Sequence, residues 1–252
     1  MNLRVIVTLS LFSACAFAQW PNKMRPGTPL LADGTPNLSA PVPKMADGHP
    51  DLSGVWQPEL TRVGNLARDL KPGEVSMQPW AETLYKHRQE TLGKEDPQGL
   101  CVLSGVPRED FVPYPFKILN SPGVMVVLYE ALHSYRQIFM DGRALPKSPN
   151  PAWMGYSIGR WEGDTLVVES AGFNEMGWLD NGGHPNTESL HLTERFHRRD
   201  FGHIDLQVTI DDPKAYTKPW TVSIVLTAMP EGELIEYVCD ENEKDFKHLV
   251  GK

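Results

Sequence analysis

Ile204-Asp205-Leu206-Gln207-Val208-Thr209-Ile210-Asp211 decides the fold. Ile204, Leu206, Val208 and Ile210 take one face of a period-two ribbon, and Asp205, Gln207, Thr209 and Asp211 take the other. A strand of this kind needs a partner on each edge and a cover for its apolar face. Both neighbours are legible. Leu190–Arg198 precedes it across Arg199-Asp200-Phe201-Gly202, and Thr221–Thr227 follows it.

The same texture runs through most of the chain after Phe116. Phe116–Asn120, Val124–Glu130, Tyr135–Met140, Tyr156–Trp161 and Thr165–Ser170 are short runs of β-branched and aromatic residues separated by turn signals. Leu234–Cys239 reads as a further strand after Pro230-Glu231-Gly232. Nine or ten strands in sequence order, without crossover helices, predict a mainly β fold. Its form is an antiparallel up-and-down β-barrel, because closure removes sticky edges; a sandwich is the alternative. Such a barrel has room for one small ligand. One helix is expected near residues 77–93, with Ser76 as N-cap, Pro79 in the first turn and Gly93 and Pro97 as stops.

Before the barrel lie a leader and an arm. Arg4, the apolar run Val5–Ala14 and Ala16-Phe17-Ala18 form a signal peptide over residues 1–18, with the mature chain starting at Gln19. Lipidation at Cys15 is the alternative; either way the protein is expected to be exported, periplasmic or secreted. Residues 19–50 carry seven prolines and read as an extended arm. Within it, Ala32-Asp-Gly-Thr-Pro-Asn-Leu-Ser39 recurs as Ala46-Asp-Gly-His-Pro-Asp-Leu-Ser53, which predicts two similar turns. Residues 51–252 form a single barrel domain. Cleavage leaves Cys101 and Cys239, and an oxidising compartment favours a disulfide between them over two buried thiols.

Two resemblances bear on the fold. Gly54-Val55-Trp56 at the first candidate strand resembles the entry motif of the lipocalins (calycins). That likeness implies a Trp plugging one barrel end and packing on an Arg from a late strand, with Arg195 the candidate. Trp161-Glu-Gly-Asp-Thr-Leu-Val-Val-Glu169, Glu188–Phe196 and Tyr237-Val-Cys-Asp-Glu-Asn242 are similar to a family of exported bacterial proteins. This second likeness implies export and a common fold, and supplies no activity.

The candidate chemistry is concentrated between Trp178 and Arg198. His184, Glu188, His191, Glu194 and Arg195 are the catalytic candidates, with Asp180 supporting them at a pocket mouth. If the Leu192/Phe196 face points inward, Glu194 is a carboxylate among apolar groups, and its pKa rises or an Arg pairs with it. If the opposite face points inward, His191 is a proton-transfer group and Arg195 an anion holder. His184, Glu188 and His191 have metal-ligand chemistry, but His-x3-Glu-x2-His on a loop and strand is not a helical zinc motif, so no metal is expected. Trp153, Tyr156 and Trp178 are candidate substrate-binding rings, and Arg136 either lines the pocket or answers a carboxylate in the sheet.

The formal net charge of −8 argues against non-specific nucleic-acid binding. No nucleotide fingerprint, Walker loop or Gly-x-Ser-x-Gly elbow is present, so no cofactor is expected. No apolar stretch beyond the leader approaches a bilayer span. The resulting expectation is a metal-independent acid/base enzyme (a lyase, isomerase or hydrolase) acting on a sugar or aromatic compound. The alternative is a lipocalin-like binding or carrier protein of the cell envelope.

Overall fold

A computed structural model describes residues 23–241, so the leader and the first residues of the arm lie outside the described residues. The chain forms a closed, mainly β barrel of lipocalin-like kind. Its strands are β1 (Gly54–Pro58), β2 (Phe116–Ser121), β3 (Val124–Tyr129), β4 (Tyr135–Phe139) and β5 (Tyr156–Glu162). They continue as β6 (Thr165–Ala171), β7 (His191–Arg198), β8 (His203–Asp211) and β9 (Trp220–Ala228). Neighbours in sequence are neighbours in space, and β9 closes the ring by pairing antiparallel with β1.

Two details depart from the expected meander. The stretch Leu234–Cys239 is irregular, so the barrel has nine strands rather than ten. One seam is parallel: β4 meets β5 through Ile138↔Ser157 and Phe139↔Ile158. Parity explains it. Nine strands that alternate strictly leave the first and last pointing the same way. One parallel step reverses the later strands, so that β9 can face β1 antiparallel. The residues between β4 and β5 make the return that this step requires.

The inward faces follow from period two. Along β8, Ile204, Leu206, Val208 and Ile210 are all fully buried. They join Leu166, Val168, Leu192, Phe196, Val222, Ile224 and Leu226 in one apolar cluster with Phe116, Ile118, Met125 and Val127. The first of the two β7 readings is therefore the one the chain adopts. Leu192, Glu194, Phe196 and Arg198 point inward, whereas His191, Thr193, Arg195 and His197 point outward.

Each barrel end has a cover. At the upper end, residues 104–112 enter as a buried plug. At the lower end Trp56 closes the barrel, only 1% exposed, its indole N–H donating to the Leu52 carbonyl at 2.9 Å. The Arg over its ring is Arg198, 4.9 Å from the ring centroid, not Arg195. Arg195 lies on the outward face of β7, paired with Glu162 at 2.8 Å.

The arm runs under the lower rim as two matched turns. Leu31 and Met45 each pair across a tight turn, to Thr35 and His49 at 2.8 Å, and Asp33 and Asp47 each accept the backbone N–H two residues on at 3.0 Å. His49 then stacks on Trp161 at 4.8 Å, Lys44 pairs with Asp164 at 2.8 Å, and Leu38 and Ala40 accept from Gly202 and Phe201. The arm is thus an integral cover of the β5–β6 and β7–β8 turns.

The helix, α1 (Pro79–Glu90), begins later than expected. Gln78 occupies the N-cap, with Pro79 as the first helical residue, whose missing N–H costs nothing there. Only Ala81 is buried, so α1 lies on the barrel rather than in its core. Cys101 and Cys239 lie at bonding distance, Sγ to Sγ 2.11 Å and Cα to Cα 5.7 Å, across 138 residues. Closing a loop of that size contributes roughly 5 kcal/mol in the chain-entropy model. Urea unfolding with and without reductant should therefore show a large loss on reduction, matched by Cys101→Ser combined with Cys239→Ser; equal midpoints would show the link contributes nothing.

Candidate functional site

The strongest polar constellation lies inside the upper half of the barrel. Arg136 enters from β4, 2% exposed, and Glu194 from β7, fully buried. The guanidinium donates to both carboxylate oxygens, with Nη1 to Oε1 at 2.9 Å. Its remaining donors reach Ser157 Oγ at 2.9 Å and Ser170 Oγ at 2.7 Å, and Ser170 donates to Ser157 at 2.9 Å. Arg136 therefore bonds residues of β5, β6 and β7 from β4, across the seam held by only two backbone residue pairs.

The plug supplies a second carboxylate. Asp110 lies 3.9 Å from the Arg136 guanidinium and accepts the Tyr129 hydroxyl at 2.7 Å. Burial first, and then the negative charge of Glu194, push the Asp110 carboxyl well above the usual carboxylate range. One guanidinium compensates one carboxylate, and a protonated Asp110 leaves the set neutral. Burial works against charge on Arg136, but Glu194 outweighs it and holds the group firmly protonated.

A separate pair caps the same end. The His184 ring nitrogen Nδ1 lies 2.6 Å from Asp180, whose carboxylate also accepts the Leu66 and His184 backbone N–H groups at 2.8 and 3.1 Å. Burial alone raises the Asp180 pKa; His184 and these donors outweigh it and leave the group lowered. Tyr85 and Trp220 lie against the His184 ring at 4.5 and 5.6 Å. His184 is only 2% exposed, and Arg88 of α1 covers Trp178 and donates to the Gly183 carbonyl. The pair holds a loop in place and presents no open face to a substrate.

The other sequence candidates are dispersed. Glu188 is exposed and paired with Lys214. His191 and Arg195 face away from Glu194, because adjacent positions on a strand point to opposite sides. Tyr156 lies on the outer face, its hydroxyl accepting from Arg143 at 3.1 Å. Trp153 and Trp178 line a cavity of about 10 Å³, which is the size of one water and far below a sugar or aromatic ring. The structure brings Arg136 to Glu194 and Asp180 to His184; it does not assemble His184, Glu188, His191, Glu194 and Arg195 into one site.

A larger space opens at the opposite end. A groove of about 740 Å³ runs beneath Trp56. Its walls include Val55, Ile118, Leu119 and Phe201, the strap Met229–Glu233 with Ile235, and the start of the arm at Lys23–Thr28. Arg25 and Arg198 also line it. No sequence candidate for catalysis or substrate binding is among the lining residues. Arg198 was missed in favour of Arg195, although period two puts it on the face of Leu192, Glu194 and Phe196 and could have found it. Arg25, in the proline-rich arm, carried no such signal. Neither protein-family models nor curated proteins give a match to this chain, so its chemistry is read from this geometry alone.

Two outcomes follow from the upper cluster. Glu194→Gln removes the carboxylate bonded to Arg136, leaving only Asp110 at 3.9 Å to answer its charge, and should cost about 3–5 kcal/mol in urea unfolding, with faster amide exchange concentrated along β4 and β5. In the plug, burial pushes the Glu109 carboxyl up to about 7 from 4.5, despite the nearby Arg108. Between those values the folded chain binds more protons than the unfolded one, so Glu109 makes stability fall as pH rises through that window, by roughly 3 kcal/mol. Glu109→Gln removes this contribution; the difference between wild type and variant should grow from pH 5 to pH 8, and a constant difference would contradict it.

Proposed function

We propose that the protein is an exported small-molecule binding protein, holding an apolar or amphipathic ligand in the groove at the Trp56 end. The observation that carries this reading is the size and lining of the groove. Its volume of about 740 Å³ falls within the range of ligand sites. Its walls combine aliphatic and aromatic side chains with seven charged residues, four basic and three acidic. Those are the features of a site that buries a ligand's body and orients one end.

The enzymatic reading loses its constellation. General acid–base work needs a titratable group within hydrogen-bond reach of a bound substrate. Glu194 is fully enclosed and occupied by Arg136, while His191 and Arg195 lie on the outer surface. Export is supported by the leader sequence and by cysteines at bonding distance, which an oxidising compartment preserves.

The test is binding of N-phenyl-1-naphthylamine, a neutral apolar fluorophore, to the mature chain. Saturable enhancement is expected, with at least tenfold weaker binding in Ala228→Trp, which fills the groove wall. His191→Ala should bind as wild type does. A fluorophore that fails to bind, or binds equally well to Ala228→Trp, would remove the proposal.

A further inference from the structure

Two guanidinium groups face this groove without a carboxylate partner among the described residues. Arg198 is 4% exposed, and its donors go to three backbone carbonyls: Asp200 at 3.1 Å, Asp51 and Phe201. The rings of Trp56 and Phe201 lie over it at 4.9 and 5.3 Å. Arg25 stands within electrostatic range of it and donates to the Ser53 carbonyl and hydroxyl, each at 3.0 Å. Burial, reinforced by Arg25 and only partly offset by Asp51 and Asp200, lowers the Arg198 pKa to about 10. Carbonyl dipoles take up three of the five N–H groups of Arg198 and do not neutralise its charge.

The glycine of the Gly-x-Trp motif makes room for this arrangement. Gly54 has φ +139°, and a Cβ there would come within 2.7 Å of Arg25 Nη1. Glycine therefore allows the Arg25 side chain to lie directly on β1, beside the groove. Two of the three carboxylates that line the groove have other partners. Glu233 pairs with Lys117, and Asp51 accepts from the Ser53 N–H and the Asn120 amide at 2.8 and 3.0 Å. Glu231 is exposed, and Lys23 adds a further cation at the groove's edge.

We infer that the groove takes a carboxylate amphiphile, its apolar chain along Ile118, Leu119 and Met229 and its anionic head at Arg25 and Arg198. The inference rests on the groove being the ligand site. A carboxylate is the acceptor that fits: it supplies the missing negative charge and matches guanidinium geometry. A ligand with a neutral head leaves both guanidinium groups without a directly bonded carboxylate.

Displacement of N-phenyl-1-naphthylamine by dodecanoate and by dodecanol, which differ only in the head group, separates the possibilities. Dodecanoate is expected to bind at least tenfold more tightly at low salt, and the advantage should shrink as salt is raised. Arg25→Gln should bring dodecanoate close to the affinity of dodecanol. Arg25→Lys, which keeps the charge, should retain most of the preference, and Lys218→Gln on the far side of the barrel serves as control. Equal displacement by both compounds, with the fluorophore still bound, overturns the carboxylate assignment and leaves the groove reading standing. Failure of the fluorophore and both amphiphiles to bind overturns the groove reading and this inference together.

Discussion

Arg136 holds the barrel together where its backbone pairing is thinnest. The β4–β5 seam has two residue pairs, whereas β7 and β8 share eight. A side chain rooted in β4 that bonds Ser157, Ser170 and Glu194 ties that edge to the next three strands. A buried ion pair is weak evidence for net stability, since desolvation offsets most of the attraction. Its value here is geometric: all the acceptors of the guanidinium lie on the far side of the seam. The plug adds Asp110 to the same set, so closing the wall and seating the upper cover depend on one network.

The two ends of the barrel are built differently. Arg108, Glu109 and Asp110 are consecutive and all buried in the upper plug, each with a distinct environment. Arg108 pairs with Asp96 through two 2.7 Å contacts and reaches Asn181 at 3.0 Å, so the plug is linked to the Asp180–His184 loop as well as to the barrel interior. Among the described residues the lower end has no comparable insertion. Trp56 closes it, the arm lines its rim, and the strap from Met229 onward runs toward the disulfide at Cys239. Space for a guest remains where the covers are shallow, outside the packed interior.

Much of the architecture was legible because period two is a strong signal when one face is enclosed. The β8 alternation gave its inward face directly, and the paired Asp-Gly turns of the arm followed from local backbone chemistry. Strand direction across 140–155 was not legible. A run of turn-forming residues looks the same whether the chain doubles back or crosses over, and only ring closure decides it. The helix start slipped by two residues because Ser76 and Gln78 both precede Pro79 and the residue adjacent to it is the cap. The candidate site fared worse for a specific reason: of seven titratable groups between Asp180 and His197, alternation along β7 sends Glu194 inward and His191, Arg195 and His197 outward, while Asp180, His184 and Glu188 lie on the preceding loop. Proximity in sequence along a strand is not proximity in space. The Arg136–Glu194 pair, 58 residues apart, was visible only as two residues each in need of a partner.

The odd strand count constrains what this architecture can become. Adding or deleting a whole hairpin changes the count by two and preserves the parallel seam. Loss of a single strand would make the ring even, and the parallel step between β4 and β5 would then bring the end strands together parallel, not antiparallel. The loop at 140–155 and the number of strands are therefore coupled: an eight-stranded ring that closes antiparallel throughout needs a simple reversal there.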